Sequence, residues 1–158
     1  KAGIDLPAGK TFFIVPERLI GRDHPYSTEK LGVVLSIFKY HGFDMALEMV
    51  RRIFETGGRG HSCGIYSFDD DHIHRLALVA PVSRIMVRQV QSSSNAGTFT
   101  NGMPMTSSLG CGIWGGNITN ENIHLKHFMN VTWVSRPIPE DRPSEQELFG
   151  EFYNTETE

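Results

Sequence analysis

Between Lys10 and Val90 short apolar, β-branched runs alternate with runs of helical period, and this alternation restricts the fold more than any other feature. Lys10-Thr-Phe-Phe-Ile-Val15 reads as a short strand closed by Pro16. Gly32-Val-Val-Leu-Ser-Ile-Phe-Lys-Tyr40 reads as a second, and its nearly continuous apolar character predicts burial on both faces. Asp44 then reads as an N-cap, with Ala46, Leu47, Val50, Ile53 and Phe54 on one helical stripe and Glu48, Arg51 and Arg52 outside it. Gly57-Gly58 ends that helix. His61–Ser67 is predicted as a third strand, Asp69-Asp70-Asp71 as the cap of a second helix reaching Val79, and Arg84–Val90 as a fourth strand after Pro81. Strands separated by helices of this length predict βα units. The fold class is therefore α/β, with a largely parallel sheet and flanking helices.

The remainder is less regular. Pro16–Thr28 reads as a loop, and Gln91–Asn120 dissolves into Ser, Asn, Gly and Thr, a length that is usually functional or packs on another chain. Glu121–Phe128 is expected as a short helix and Met129–Val134 as a strand, followed by a polar, acidic tail. The expected division is 1–120 for the α/β body, 121–138 for a returning helix and strand, and 139–158 for the tail. A formal charge of −3 argues against a nucleic-acid partner, which needs a basic face. Apolar runs such as Leu31–Phe38 are too short to cross a bilayer. With no basic-then-apolar leader in the sequence, a cytoplasmic protein is expected. Cys63 and Cys111 read as two buried thiols rather than a disulfide framework. The opening "KAGIDLPAGK", without a methionine, suggests a fragment.

Three stretches could carry chemistry. Gly57-Gly-Arg-Gly-His-Ser62 follows a helix C-terminus, so its glycines cannot cradle phosphate as they would at a helix N-terminus. Taken alone, His61 reads as a structural histidine. Ser108-Leu-Gly-Cys-Gly-Ile-Trp-Gly-Gly-Asn117 holds Cys111, but no base or cation stands nearby in sequence to activate a thiol. Glu29, just before the second strand, is either a solvated cap or an aimed carboxylate. With no second cysteine pair, His72 and His74 on different helix faces, and His124 and His127 expected as an exposed pair, no metal centre is predicted.

Taken together these stretches resemble a known family. Glu29-Lys-Leu-Gly-Val-Val34 is similar to the "Glu-x-(Phe/Leu)-Gly-Pro-Val" element of the aldehyde dehydrogenase superfamily, with Val33 in place of the usual proline. Gly58-Arg-Gly-His-Ser62 resembles the "Gly-x-Gly-His-(Ser/Thr)" element of its CoA-acylating branch. Leu109–Asn117, with Glu121-Asn122 and Lys126-His127, is similar to a long signature of the same branch. The resemblance runs in order from Pro7 to Pro137, and within the branch it looks most like the sulfoacetaldehyde dehydrogenases.

The resemblance implies the later part of an aldehyde dehydrogenase catalytic domain with a projecting C-terminal oligomerisation strand. In that family a cysteine thiolate attacks the aldehyde, hydride passes to NAD or NADP, and coenzyme A displaces the acyl group. The glycine-rich cofactor loops and the nucleophile would lie outside this chain, since neither Cys63 nor Cys111 matches the nucleophile's motif. Glu29 matches the carboxylate that holds the nicotinamide ribose, Leu31 the apolar residue beside the nicotinamide, and His61 a histidine of the acylating active site. The implied partners are a small aldehyde, coenzyme A and a second copy of the chain paired through Met129–Val134, with no nucleic acid and no membrane. The glycine-rich loop is then expected to be architecture, with Trp114 supplying buried area and Asn117 satisfying turn groups. The alternative is a stand-alone, non-catalytic binding or assembly module of the same fold.

Overall fold

The computed structural model describes residues 6–153 and divides the chain into two compact units, Lys1–Phe128 and Met129–Glu158. The first unit is α/β, as predicted. Its strands form two parallel pairs: β1 (Phe13–Glu17) with β2 (Val34–Phe38), and β3 (Cys63–Ile65) with β4 (Ile85–Val87). Helix α1 (Phe43–Gly57) connects β2 to β3, and α2 (Asp70–Val79) is the crossover that makes β3 and β4 parallel. A bridge between Gly60 and Val82 extends this second pair by one step.

Several local expectations need correction. The first strand does not stop at Pro16 but continues to Glu17, because in this two-stranded pair a proline without an N–H is tolerated. β2 is not buried on both faces: Leu35 and Ile37 are exposed while Val34, Ser36 and Phe38 are half-buried. Asp44 does not cap α1. Gly42 stands at the N-cap, and Asp44 sits in the first turn, where its carboxylate pairs with Arg75 of α2. Asp69 caps α2 as read, accepting from the Asp71 amide at 2.9 Å.

The core lies where α1 and α2 meet the second strand pair. Leu47, Leu76 and Ala80 are buried, with Val50, Phe54, Cys63, Ile65, Val82 and Ile85 packed against them. This follows from the apolar stripe of α1 and the matching face of α2. Elsewhere large apolar side chains stand open, among them Ile14, Leu35, Ile37 and Phe68.

Past β4 the chain forms one short turn of helix, α3 (Gln91–Ser94), then runs irregularly as expected. Glu121–Phe128 is helical only as a 3-10 turn over Leu125–Phe128; upstream of it, Asn122 is bridged to Leu109. In the second unit, Met129–Val134 is neither helix nor strand among the described residues, and Trp133 is 90% exposed. Alternating apolar residues specify a strand only when a partner strand is there to pair with. The acidic tail carries an unanticipated helix, α4 (Glu145–Phe149).

Candidate functional site

A cleft of about 890 Å³ opens between the β1–β2 side and the β3 end of the first unit. Its walls include Glu29 and His61, separated in sequence but brought to one cavity, together with Ser62, Cys63, Gln91 and Asn95. Leu31 is outside these walls, 90% exposed on a left-handed backbone with φ of 43°.

Glu29 is placed by the turn that precedes it. The buried Ser27 hydroxyl donates to the carbonyls of His24 at 2.6 Å and Gly21 at 2.9 Å, fixing the 3-10 turn Pro25–Ser27. Lys30 curls back to donate its ammonium to the carbonyls of Tyr26 at 2.9 Å and Thr28 at 2.5 Å. Both of these anchors hold backbone, which leaves the intervening Glu29 carboxylate exposed in the cleft wall.

His61 follows the stop of α1, where Gly58 takes φ of +111°. Its ring contacts Ser62, with Nδ1 2.6 Å from the Ser62 hydroxyl, and its carbonyl accepts from Arg84 at 3.3 Å. Cys63 enters the same cleft, but burial pushes its thiol up to about 11. At neutral pH it therefore stays protonated and is a poor nucleophile.

The glycine-rich loop stands behind this wall and is architectural. The Gly110 and Gly112 amides donate to the carbonyls of Glu121 and Thr119, both at 2.9 Å, so the two arms of Ser108–Ile123 are bonded to each other as a closed loop. The Asn117 side chain accepts from the Cys111 amide at 2.8 Å, satisfying the turn as expected. Trp114 corrects its expectation: it is half exposed and supplies little burial. Two glycines are needed for close approach. At Gly110 a Cβ would fall onto the Thr119 carbonyl, and at Gly60, with φ of +106°, it would lie 2.8 Å from the Cys111 Cβ.

Arg84 ties loop to cleft, and sequence reasoning missed it. Its side chain is buried, with 5% of the residue exposed, and among the described residues no carboxylate pairs with it. Its guanidinium donates to Asn122 Oδ1 at 2.7 Å and to the carbonyls of Gly110 at 2.8 Å, Asn120 at 3.2 Å and His61 at 3.3 Å. Burial lowers its pKa, though not enough to threaten the charge of an arginine. No local pattern signals such a residue, because all its acceptors are remote in sequence.

His124 and His127 are partly buried rather than an exposed pair, with rings edge-to-face at 5.1 Å. With Glu121 they bring three ligand-type atoms within 4.8 Å of one another. The protein itself answers that carboxylate: Lys126 and His127 Nε2, the latter at 3.2 Å, meet the same Glu121 oxygen. Lys126 holds the Glu121 carboxyl below its ordinary range.

No established family profile matches the chain. It is 49% identical over 127 residues to a sulfoacetaldehyde dehydrogenase of Acholeplasma sp, covering 80% of this chain and 26% of that protein. Over 154 residues it is 39% identical to the sulfoacetaldehyde dehydrogenase (acylating) of Bilophila wadsworthia, covering 96% of this chain and 33% of the relative. The acetylating aldehyde dehydrogenase of Geobacillus thermoglucosidasius superposes with a TM-score of 0.76 at 30% identity, over 88% of this chain and 31% of that one. The chain thus spans a quarter to a third of the length of these relatives, and its likeness to acylating aldehyde dehydrogenases extends over most of its own.

Proposed function

We propose that this chain, sharing sequence and fold with one region of the acylating aldehyde dehydrogenases, forms part of an NAD- or NADP-dependent, CoA-acylating aldehyde dehydrogenase. The observation that carries the reading is the meeting of Glu29 and His61 in one cleft, since these are the two polar residues the family motifs single out. The similarity to two sulfoacetaldehyde dehydrogenases favours a small aldehyde bearing a sulfonate.

In this reading the nucleophilic cysteine and the glycine-rich cofactor loops come from sequence outside the chain. Glu29 fits a ribose: its carboxylate is exposed in the cleft and takes no hydrogen bond or ion pair from any described residue. It would accept from two sugar hydroxyls and so fix the nicotinamide by one end. Leu31, exposed beside it, would lie against the ring. Bound nicotinamide supplies the hydride acceptor. His61 would hold a proton at the acyl-transfer centre. The open apolar faces of β1 and β2 are what a body completed by a further segment would leave. Met129–Val134, with Met129, Val131 and Trp133 exposed at alternate positions, fits a strand completed by a second copy.

The test is an assay of the full-length polypeptide and of this chain alone with aldehyde, coenzyme A and NAD or NADP. Full-length protein is expected to reduce the nucleotide only when aldehyde and coenzyme A are both present, and the chain alone is expected to be inactive. Turnover by the chain alone would overturn the assignment of the missing parts. A full-length polypeptide without turnover would favour the binding or assembly module.

A further inference from the structure

Resting on the reading above, we infer that Ser62 is a positioning residue that fixes the tautomer of His61, so that the ring presents Nε2–H to the cleft. His61 then donates a hydrogen bond to the acyl oxygen and does not act as a base toward the thiol.

The inference is a count of donors around one oxygen. The Gln91 side-chain amide donates to Ser62 Oγ at 2.5 Å and the Asn95 amide donates to it at 3.1 Å. Two donors occupy the two lone pairs of a hydroxyl. Its single proton must then go to the remaining neighbour, His61 Nδ1, at 2.6 Å. A neutral imidazole that accepts at Nδ1 carries its hydrogen at Nε2. Among the described residues no other group hydrogen-bonds the ring, so Ser62 sets both its proton and its rotation.

The residue that carries one of these donors is itself anchored. Asn95 is buried, and its backbone carbonyl accepts from the Asn122 side-chain amide at 3.1 Å, which fixes the main chain that carries the donor to Ser62. Asn122 cannot turn over, because its Oδ1 takes the Arg84 donor at 2.7 Å and its Nδ2 also donates to the Pro104 carbonyl at 2.8 Å. The path Arg84–Asn122–Asn95–Ser62–His61 therefore links the glycine-rich loop to the cleft, passing from the backbone of Asn95 to its side chain. This gives His61 the environment that the motif alone could not supply.

The experiment uses the full-length polypeptide with ¹⁵N-labelled histidine, as wild type and as Gln91→Glu, Ser62→Ala and Ser62→Thr, read by imidazole NMR and by CoA-dependent turnover. Wild type is expected to show Nδ1 unprotonated and Nε2 protonated in the neutral ring. Gln91→Glu replaces a donor by an acceptor, so the serine proton turns to the new carboxylate and the His61 proton moves to Nδ1. Turnover there is expected to fall about tenfold at unchanged aldehyde KM. Ser62→Ala should mix the tautomers, and Ser62→Thr should restore the wild-type spectrum and rate. A wild-type ring protonated at Nδ1, or a Gln91→Glu spectrum like wild type, overturns the inference; if Gln91→Glu does not fold, the wild-type spectrum decides alone. The expected tautomers in a protein without CoA-dependent turnover would support the serine lock and sink the functional reading. Normal turnover with an unmoved tautomer would do the reverse.

Discussion

Nε of Arg84 donates to Oδ1 of Asn122 at 2.7 Å, a bond between residues 38 apart in sequence and both buried. Around it the same guanidinium serves three backbone carbonyls, so Arg84 is a backbone organiser that keeps its charge. Replacing it leaves those acceptors buried with no donor. Arg84→Met is expected to cost about 3 kcal/mol, on the order of one or two abandoned buried groups, measured as a shift in the urea midpoint. Arg84→Lys should recover only part, because an ammonium cannot reproduce the planar fork. A midpoint unchanged in Arg84→Met would remove Arg84 from this role.

Gly110→Ala tests the loop's packing. The added methyl would meet the Thr119 carbonyl oxygen and lie 2.8 Å from its carbon, both backbone atoms of the facing arm of the loop. A loss of about 1–3 kcal/mol is expected, with cleavage between residues 108 and 122 by protease as a local readout. Wild-type protease resistance would mean that the loop yields more easily than its hydrogen bonds suggest.

Glu29→Gln tests the cleft in the full-length polypeptide. The substitution keeps the shape and removes the charge, so folding should be unaffected at this exposed position. Turnover with coenzyme A and aldehyde is expected to fall at least about tenfold, or roughly 1.4 kcal/mol of transition-state stabilisation. Unchanged kcat and nucleotide KM would place Glu29 outside the site.

Cys63 makes stability depend on alkaline pH. Its thiol is raised from the ordinary 9.0 to about 11 by burial, so above pH 9 the unfolded chain loses a proton that the folded chain keeps. The native state then binds more protons than the unfolded one. Stability must fall as pH rises from 9 to 11, by up to about 3 kcal/mol in total, and be indifferent to this group below 9. Cys63→Ala should lack this slope when urea unfolding is compared at pH 8 and 10.5. Equal slopes in the two proteins would show that the thiol is not desolvated.

What could be read in advance followed what is local. Asp69 ahead of an apolar stripe is a complete helix start in four residues, and α2 begins there. Glu29 and His61 stand out in the sequence because each sits in a short motif, but that both line one cleft was not readable there. Asp44 misled because a carboxylate near a helix start has two uses, and here pairing with Arg75 of the next helix prevailed over capping. Helix α4 did have a signal: Ser144 and Glu147 form a reciprocal capping box, passed over because the surrounding residues are polar. Arg84 and Asn95 had none. Their roles depend on bonds spanning 26 and 33 residues, which no window of sequence contains.

The reach of the Arg84 bonds also sets an order of events in time. Its acceptors at Gly110, Asn120 and Asn122 lie 26 to 38 residues downstream, whereas the β3–α2–β4 unit that holds Arg84 closes over a shorter stretch of chain. The entropic penalty of closing the larger loop comes due before its contacts exist. The crossover unit is therefore expected to assemble first and act as the template, with the glycine-rich segment zipping onto a guanidinium already in place. On unfolding the same logic runs backward, and the wall behind His61 is expected to come away first.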